Sequence, residues 1–295
     1  MQHYGLIGYP LEHSLSMPLH LAAFRAIGIE ADYSLFTVPP FPQGELSLTD
    51  LLACLRRGEL HGLNVTIPHK QNVIPFLDEL TPTAQAIGAV NTIFLREGRI
   101  CGENTDAPGF WLDLCAQFPE LIRPSGAPKQ ALLLGAGGAA RAVLYALAKE
   151  GWQVWLAARR LEQAQGLLAS IHLRELSEDA PNQIDCRTLS NQALQPLLSG
   201  LDLIINATPV GMLPKTGASP YPSGLDFPSQ AVVYDLVYNP PITLLVQQAR
   251  QAGLPAASGL GMLVEQAALA DEHWIGKSPL RAPMFAVVPP HLRGT

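Results

Sequence analysis

The chain has 295 residues, 48% of them hydrophobic and 15% charged, and its 19 basic and 25 acidic side chains leave a net charge of −6. That length suits two domains of about 150 residues each and buries enough surface to need no disulfide or metal staple. The mild acidity argues against a nucleic-acid binder, which would carry a basic face. No apolar run nears the roughly 20 residues of a membrane span. The start lacks the pattern of a secretion signal. Cys54, Cys101, Cys115 and Cys186 are scattered without metal-ligand spacing. The expectation is a cytoplasmic protein with reduced thiols, no metal and no membrane or nucleic-acid partner.

Short runs of Val, Ile and Leu alternate with helix-like stretches throughout. Strands are expected at 3–9, 32–38, 63–67 and 90–95, with helices at 18–27, 48–57 and 109–117. The stretch 118–129 carries three prolines and a glycine and marks a domain boundary, placed just before it in helix 109–117. The alternation then restarts: strand 130–134, helix 138–150, strand 152–158, helix 161–170, a polar loop at 171–184, strands 202–207 and 231–237, and a last helix 262–275. Such an order belongs to an α/β fold with largely parallel sheets.

The segment Leu134-Gly135-Ala136-Gly137-Gly138-Ala139-Ala140 follows an apolar strand and opens an Ala-rich helix. It fits G-x-G-x-x-A. The first glycine permits the tight turn, the second lets backbone approach a pyrophosphate, and the alanine keeps helix against strand. Free N–H groups at the helix start favour an anion. A plain strand-turn-helix is the alternative, but the context suits a dinucleotide. An NAD site usually places Asp or Glu at the end of the second strand. This chain has Ala158-Arg159-Arg160 there, and a guanidinium pairs with the 2′-phosphate of NADP. Solvated surface arginines are the competing reading, and Glu162 stands two residues further on.

Polar residues gather where strands of the first half end or begin: Asn64, Thr66 and Lys70 in one segment, Asn91 and Thr92 in a second, Asn104-Thr105-Asp106 in a third. Alone, Lys70 reads as a surface lysine and Asp106 as a helix N-cap. Ligands of open α/β sheets bind at the carboxyl ends of strands, and this set suits a small, polyhydroxylated anion.

Taken in order, these segments resemble the shikimate dehydrogenase family from about Gly5 to Trp274. They are Glu12-His13-Ser14-Leu15-Ser16, Asn64-Val65-Thr66-Ile67-Pro68-His69-Lys70, Gly88-Ala89-Val90-Asn91-Thr92, Asn104-Thr105-Asp106, the glycine turn, Asn206-Ala207-Thr208-Pro209-Val210-Gly211-Met212, Asp235-Leu236-Val237-Tyr238-Asn239-Pro240 and Gly259-Leu260-Gly261-Met262-Leu263-Val264-Glu265-Gln266. The resemblance implies a substrate domain (1–108 and 260–295) and a Rossmann-type, doubly wound NADP domain (109–259), with a cleft between them. It also implies a monomer or homodimer.

By the same resemblance, the reaction is reversible reduction of 3-dehydroshikimate to shikimate by NADPH, on the route to chorismate and the aromatic amino acids. Lys70 is the general acid/base and Asp106 its partner. Ser14 and Ser16 hold the substrate carboxylate; Asn64, Thr66, Asn91, Tyr238 and Gln266 bind ring hydroxyls or carboxylate. Gly135 through Ala139, Arg159, Arg160, Asn206, Thr208, Leu236 and Gly259 face the cofactor. Two departures stand out. The family's proline stands one place further on, as Pro18, Leu21 takes the place of its asparagine, and Ala158 replaces an asparagine before Arg159. The rival readings are an NAD-dependent quinate/shikimate dehydrogenase and a catalytically silent NADP-binding regulatory module.

Overall fold

A computed structural model describes residues 1–122, 128–173, 176 and 183–293. Parts of the expected boundary stretch 118–129 and of the expected loop 171–184 lie outside the described residues. The chain forms two compact units, Met1–Gly109 with Val264–Val288, and Phe110–Leu263 with the last residues from Pro289.

The first unit contains β1 (Gln2–Gly8), α1 (Ser16–Ala26), β2 (Ala31–Thr37), α2 (Glu45–Arg56), β3 (Gly62–Val65), the short α3 (His69–Asn72), β4 (Glu79–Leu80), α4 (Pro82–Ile87), β5 (Thr92–Arg96) and β6 (Arg99–Glu103). α5 (Asp106–Gln117) starts here and continues into the second unit. The sheet order is β2-β1-β3-β5-β6-β4. β1 runs parallel to β2 and β3, whereas β5 is antiparallel to both β3 and β6. The largely parallel sheet expected from the alternation is therefore mixed in this unit. The cause is local. Glu97 and Gly98 both adopt positive φ, 52° and 77°, the conformation of a two-residue hairpin turn, and such a turn can join only antiparallel strands.

Side chains alternate across β1 with period two. Tyr4 and Leu6 pack with Phe24 and Tyr33 on one face, while Ile7 packs with Leu63, Ile93 and the α2 residues Leu48, Leu52 and Leu55 on the other. Trp274 seals the first face, stacked on Tyr4 at 4.8 Å and donating its indole N–H to the Ile93 carbonyl at 3.0 Å. Gly62 makes room for it, since a Cβ there would sit 2.2 Å from the indole nitrogen.

The second unit contains β7 (Gln130–Leu134), α6 (Gly138–Lys149), β8 (Gln153–Ala158), α7 (Leu161–Ser170), β9 (Ile184–Thr188), the short α8 (Asn191–Leu194), β10 (Leu203–Asn206), β11 (Val232–Asp235), α9 (Leu244–Gln251) and β12 (Ala256–Ser258). α10 (Leu260–Ile275) begins in this unit and ends in the first, which also holds α11 (Arg281–Val287). The strand order β12-β11-β10-β7-β8-β9 is parallel throughout. Counted from β7, it is the 3-2-1-4-5-6 order of a doubly wound dinucleotide fold, whose ligand crevice opens where the order reverses, between β7 and β10. The strands are fully buried apolar runs, with Leu132, Leu133, Leu134, Ile204 and Ile205 at 0% exposure, as expected when helices cover both faces.

Candidate active site

In the first unit, a turn at Thr66–Pro68 ends β3 and delivers Lys70 on α3. The turn is fixed by Thr66 N–H donating to the Ile7 carbonyl at 2.8 Å and by His69 N–H donating to the Thr66 carbonyl at 2.9 Å. The ammonium of Lys70 donates to Asp106 Oδ2. The two side chains are only 16% and 8% exposed, so this pair is largely shielded from the solvent that weakens surface ion pairs.

Asp106 is free to face Lys70 because another residue starts its helix. Asn104 Oδ1 accepts the backbone N–H groups of Asp106 and Ala107 at 3.1 and 3.3 Å, the work of an N-cap. The helix expected from residue 109 therefore begins at Asp106, and the capping role open to Asp106 passes to Asn104.

Asn91 is the centre of the network. Its Oδ1 accepts the Thr105 backbone N–H at 2.7 Å, which fixes the amide's orientation. Its Nδ2 then faces Asp106 Oδ1 at 3.0 Å, Thr105 Oγ1 at 2.9 Å and Gln266 Oε1 at 3.3 Å. Gln266 comes from α10, brought close by Gly109 of α5, where a Cβ would lie 2.8 Å from the Gln266 nitrogen. Asn64 Nδ2 donates to the Asn91 carbonyl at 3.2 Å and to Thr92 Oγ1 at 3.3 Å, and Asn64 Oδ1 accepts the Tyr33 phenol at 2.7 Å. Ser14 Oγ accepts the Ser16 N–H at 3.2 Å just after β1, and Ser16 interacts with the Tyr33 phenol.

Lys70, Asp106, Asn91, Asn64 and Gln266 thus form one connected polar cluster with Tyr33, Thr92, Thr105 and Asn104. Ser14, Ser16 and Thr66 stand at the ends of β1 and β3, the point where the first sheet's order reverses. Tyr238 belongs to the second unit, in the segment after β11; burial pushes its phenol above the usual value.

In the second unit, Gly135 has φ +111°, and a Cβ there would lie 2.8 Å from Thr208 Cγ2. Both the conformation and the close approach of the loop after β10 require glycine. A Cβ on Gly137 would meet nothing within 4 Å, so backbone there faces open space. No side chain caps the N-terminus of α6 that follows. An open glycine turn leading to an uncapped helix start fits a pyrophosphate. Arg159 and Arg160 are exposed at the end of β8, with no carboxylate between them and β8, which suits a 2′-phosphate. These residues fit NADP.

Asn206 is fully buried. Its Oδ1 accepts Thr208 N–H and Oγ1–H at 2.9 and 2.7 Å, while its Nδ2 donates to Asp235 Oδ1 at 2.8 Å. It therefore shapes the loop that carries Thr208. Leu236 and Gly259 adjoin, for a Cβ on Gly259 would fall 2.4 Å from the Leu236 carbonyl oxygen. Asp235 also accepts Val237 N–H at 3.0 Å and Thr243 Oγ1–H at 2.6 Å. Burial pushes its carboxyl up to about 6, opposed by these hydrogen bonds.

Tyr33, Asp235 and the buried pair His20–Asp271 have no candidate role in the sequence, and Asn104 and Thr105 stand there only as members of the polar set. Asn104 carried a readable signal, an Asn two residues before a helix start. Tyr33 and His20–Asp271 had none, because their partners are distant in sequence. Among the described residues, no helix is long and apolar enough to cross a membrane.

Known proteins resemble this chain in sequence and fold. Residues 6–93 match the family model for the shikimate dehydrogenase substrate binding domain. The chain is 40% identical over 290 residues to the NADP(+) shikimate dehydrogenase of Shouchella clausii, covering 98% of each chain. It is 41% identical over 283 residues to that of Salinibacter ruber, covering 95% of this chain and 94% of the relative. The crystal structure of the Thermus thermophilus shikimate 5-dehydrogenase with NADP(H) and shikimate superposes with a TM-score of 0.78 at 36% identity, covering 96% of this chain and 97% of that one. With the cluster around Lys70 and Asp106 and the glycine turn at Gly135 both present, the chain belongs to the shikimate dehydrogenase family.

Proposed function

We propose that this protein is an NADP-dependent shikimate dehydrogenase, interconverting 3-dehydroshikimate and shikimate. The observation that carries the reading is the shielded Lys70–Asp106 pair, tied through Asn91 to Thr105 and Gln266. Such a cluster offers one mobile proton beside several hydroxyl-binding groups. The relatives described above, named for the same NADP-dependent activity, support it.

NADPH, held by the Gly135–Ala139 turn, the α6 N-terminus and Arg159 with Arg160, supplies a hydride when bound. As a carbonyl is reduced, negative charge grows on its oxygen, and a positioned ammonium stabilises that charge and gives up a proton. Lys70 Nζ does this. Asp106 Oδ2 holds Nζ in place while Asn91, fixed by Thr105, holds Oδ1, so the carboxylate cannot swing. In the oxidation direction neutral Lys70 takes the hydroxyl proton.

Asn64, Thr66, Asn91, Gln266 and Tyr238 bind ring hydroxyls or carboxylate, and Ser14 and Ser16 take the carboxylate. Met1–Gly109 with Val264–Val288 serve as the substrate domain, and the doubly wound unit serves the cofactor. The reading carries with it a cytoplasmic enzyme on a small-molecule substrate, monomeric or homodimeric.

The test is to follow nicotinamide reduction with shikimate and with quinate, each with NADP⁺ and NAD⁺. Turnover with shikimate and NADP⁺ well above the other pairs is expected. Preference for quinate with NAD⁺ would overturn the substrate and cofactor reading, and NADPH binding without any turnover would favour a silent module.

A further inference from the structure

Beneath the polar cluster lies a buried pair that the chemistry above does not use. His20 of α1 and Asp271 of α10 are both 0% exposed, with His20 Nδ1 and Asp271 Oδ1 2.6 Å apart. The carboxylate can only accept, so Nδ1 carries the proton. The His20 imidazole lies flat on the Tyr33 ring, centroids 4.5 Å apart and planes at 8°, and the Trp274 ring flanks it at 5.2 Å. Asp271 thus sets the orientation of the imidazole, and the imidazole sets the plane of Tyr33.

Tyr33 in turn meets Asn64. The phenol is 4% exposed, and burial, reinforced by the charge of Asp271, holds its pKa well above the usual value, so it remains a hydrogen-bond donor. It donates to Asn64 Oδ1 at 2.7 Å. Both hydrogens of Asn64 Nδ2 are directed at internal acceptors, the Asn91 carbonyl and Thr92 Oγ1. One lone pair on Oδ1 is then the polar capacity Asn64 retains.

We infer that Tyr33, backed by the His20–Asp271 pair, is a positioning residue that fixes Asn64 as a hydrogen-bond acceptor for a substrate hydroxyl. The inference rests on the dehydrogenase reading above and adds a specificity element to it. A substrate group in front of Asn64 must donate a hydrogen bond. A ring carbon bearing an ether or a keto oxygen there would place acceptor against acceptor and be rejected. Tyr33 acts through Asn64 and has no part in proton or hydride transfer.

The experiment compares Tyr33→Phe with the parent, alone and combined with Asn64→Ala. The phenyl ring keeps the stack on His20 and loses the hydroxyl's contacts with Asn64 and Ser16, so the Asn64→Ala background isolates the Asn64 part, and a melting temperature close to the parent's accompanies the kinetics. The expected result is a KM for shikimate raised about tenfold, with kcat within about threefold and the KM for NADP⁺ unchanged. In the Asn64→Ala background the same substitution should change KM by less than about twofold, since two residues acting through one contact are not additive.

An unchanged KM, a fall in kcat alone, or full additivity with Asn64→Ala would overturn the inference while leaving the dehydrogenase reading intact. No turnover of shikimate by the parent protein would overturn that reading and this inference with it.

Discussion

Replacing Asp106 by asparagine separates its charge from its shape. Both neighbours of the carboxylate are donors, Lys70 Nζ at Oδ2 and Asn91 Nδ2 at Oδ1. Asn91 cannot turn over to offer its oxygen, because that oxygen already accepts the Thr105 N–H at 2.7 Å. A side-chain amide at this position has one acceptor and one donor end, so whichever way it faces, an NH₂ meets a donor. Leaving one buried polar group unmatched costs about 1–3 kcal/mol. The lysine also loses its counter-charge. If the mismatch falls on Lys70 during reaction, about 1.4 kcal/mol per tenfold converts it to a loss of roughly 5- to 150-fold in kcat.

Removing a correctly placed general acid altogether is worth about 10²–10⁴-fold, which sets the upper end for Asp106→Asn. The assay is initial-rate oxidation of shikimate by NADP⁺, with the variant's melting temperature measured beside it. A kcat reduced at least tenfold, with a fold stability lowered by a few kcal/mol at most, is expected. A kcat within threefold of the parent's would refute the idea that Asp106 positions Lys70. A loss confined to KM would make the pair a binding device only.

Further outcomes follow from the same geometry. Arg159→Ala should weaken NADP⁺ by about 10- to 100-fold, the worth of a charge-assisted hydrogen bond, while NAD⁺ changes little; equal losses for both, by binding titration, would remove Arg159 from the 2′-phosphate. Asp235, at about 6 against an ordinary 3.8, holds its proton more tightly folded than unfolded. Its contribution to stability is therefore present below about pH 4 and lost as pH rises through 6, a change of about 3 kcal/mol. Asp235→Asn should gain stability relative to the parent across that window in melting experiments at pH 4–7, and a parallel pH dependence would count against the assignment. Gly109→Ala, whose Cβ would press on the backbone nitrogen of Gln266, should cost about 1–3 kcal/mol and raise the KM for shikimate; a parent-like melt and KM would show that α5 and α10 give way there.

How far the sequence reached depended on the separation of the interacting residues. The doubly wound unit was legible in most of its elements, because β7, α6, β8, α7, β10 and β11 each signal themselves within a dozen residues, whereas β9, α9 and β12 were not read. The glycine turn is local too, and Gly135 keeps its positive φ for a reason readable in one segment. The first sheet was less legible: β5 and β6 turn back through Glu97-Gly98, a turn with a weaker signature than Asn-Gly, so the antiparallel pairing was hidden inside an apparently parallel pattern. Short strands such as β4 and β12 bury too few side chains to show a period at all.

The candidate site divides in the same way. Lys70, Asp106, Asn91 and Asn64 could be named because each sits beside the end or start of an apolar run. The pairing of Lys70 with Asp106 came from the family resemblance; the rest of the network could not be read, since its bonds span from 14 residues, in the case of Asn91 and Thr105, to 175, in that of Asn91 and Gln266. The same holds for capping. Asp106 and Asn104 are equally good N-cap types, and only the position of the first helical turn decides that Asn104 takes the backbone N–H groups. That choice leaves the Asp106 carboxylate for Lys70. A two-residue shift in where α5 begins would put the carboxylate on its own helix end and leave the lysine without a partner, so the catalytic pair depends on a helix boundary, the feature that sequence patterns specify least well.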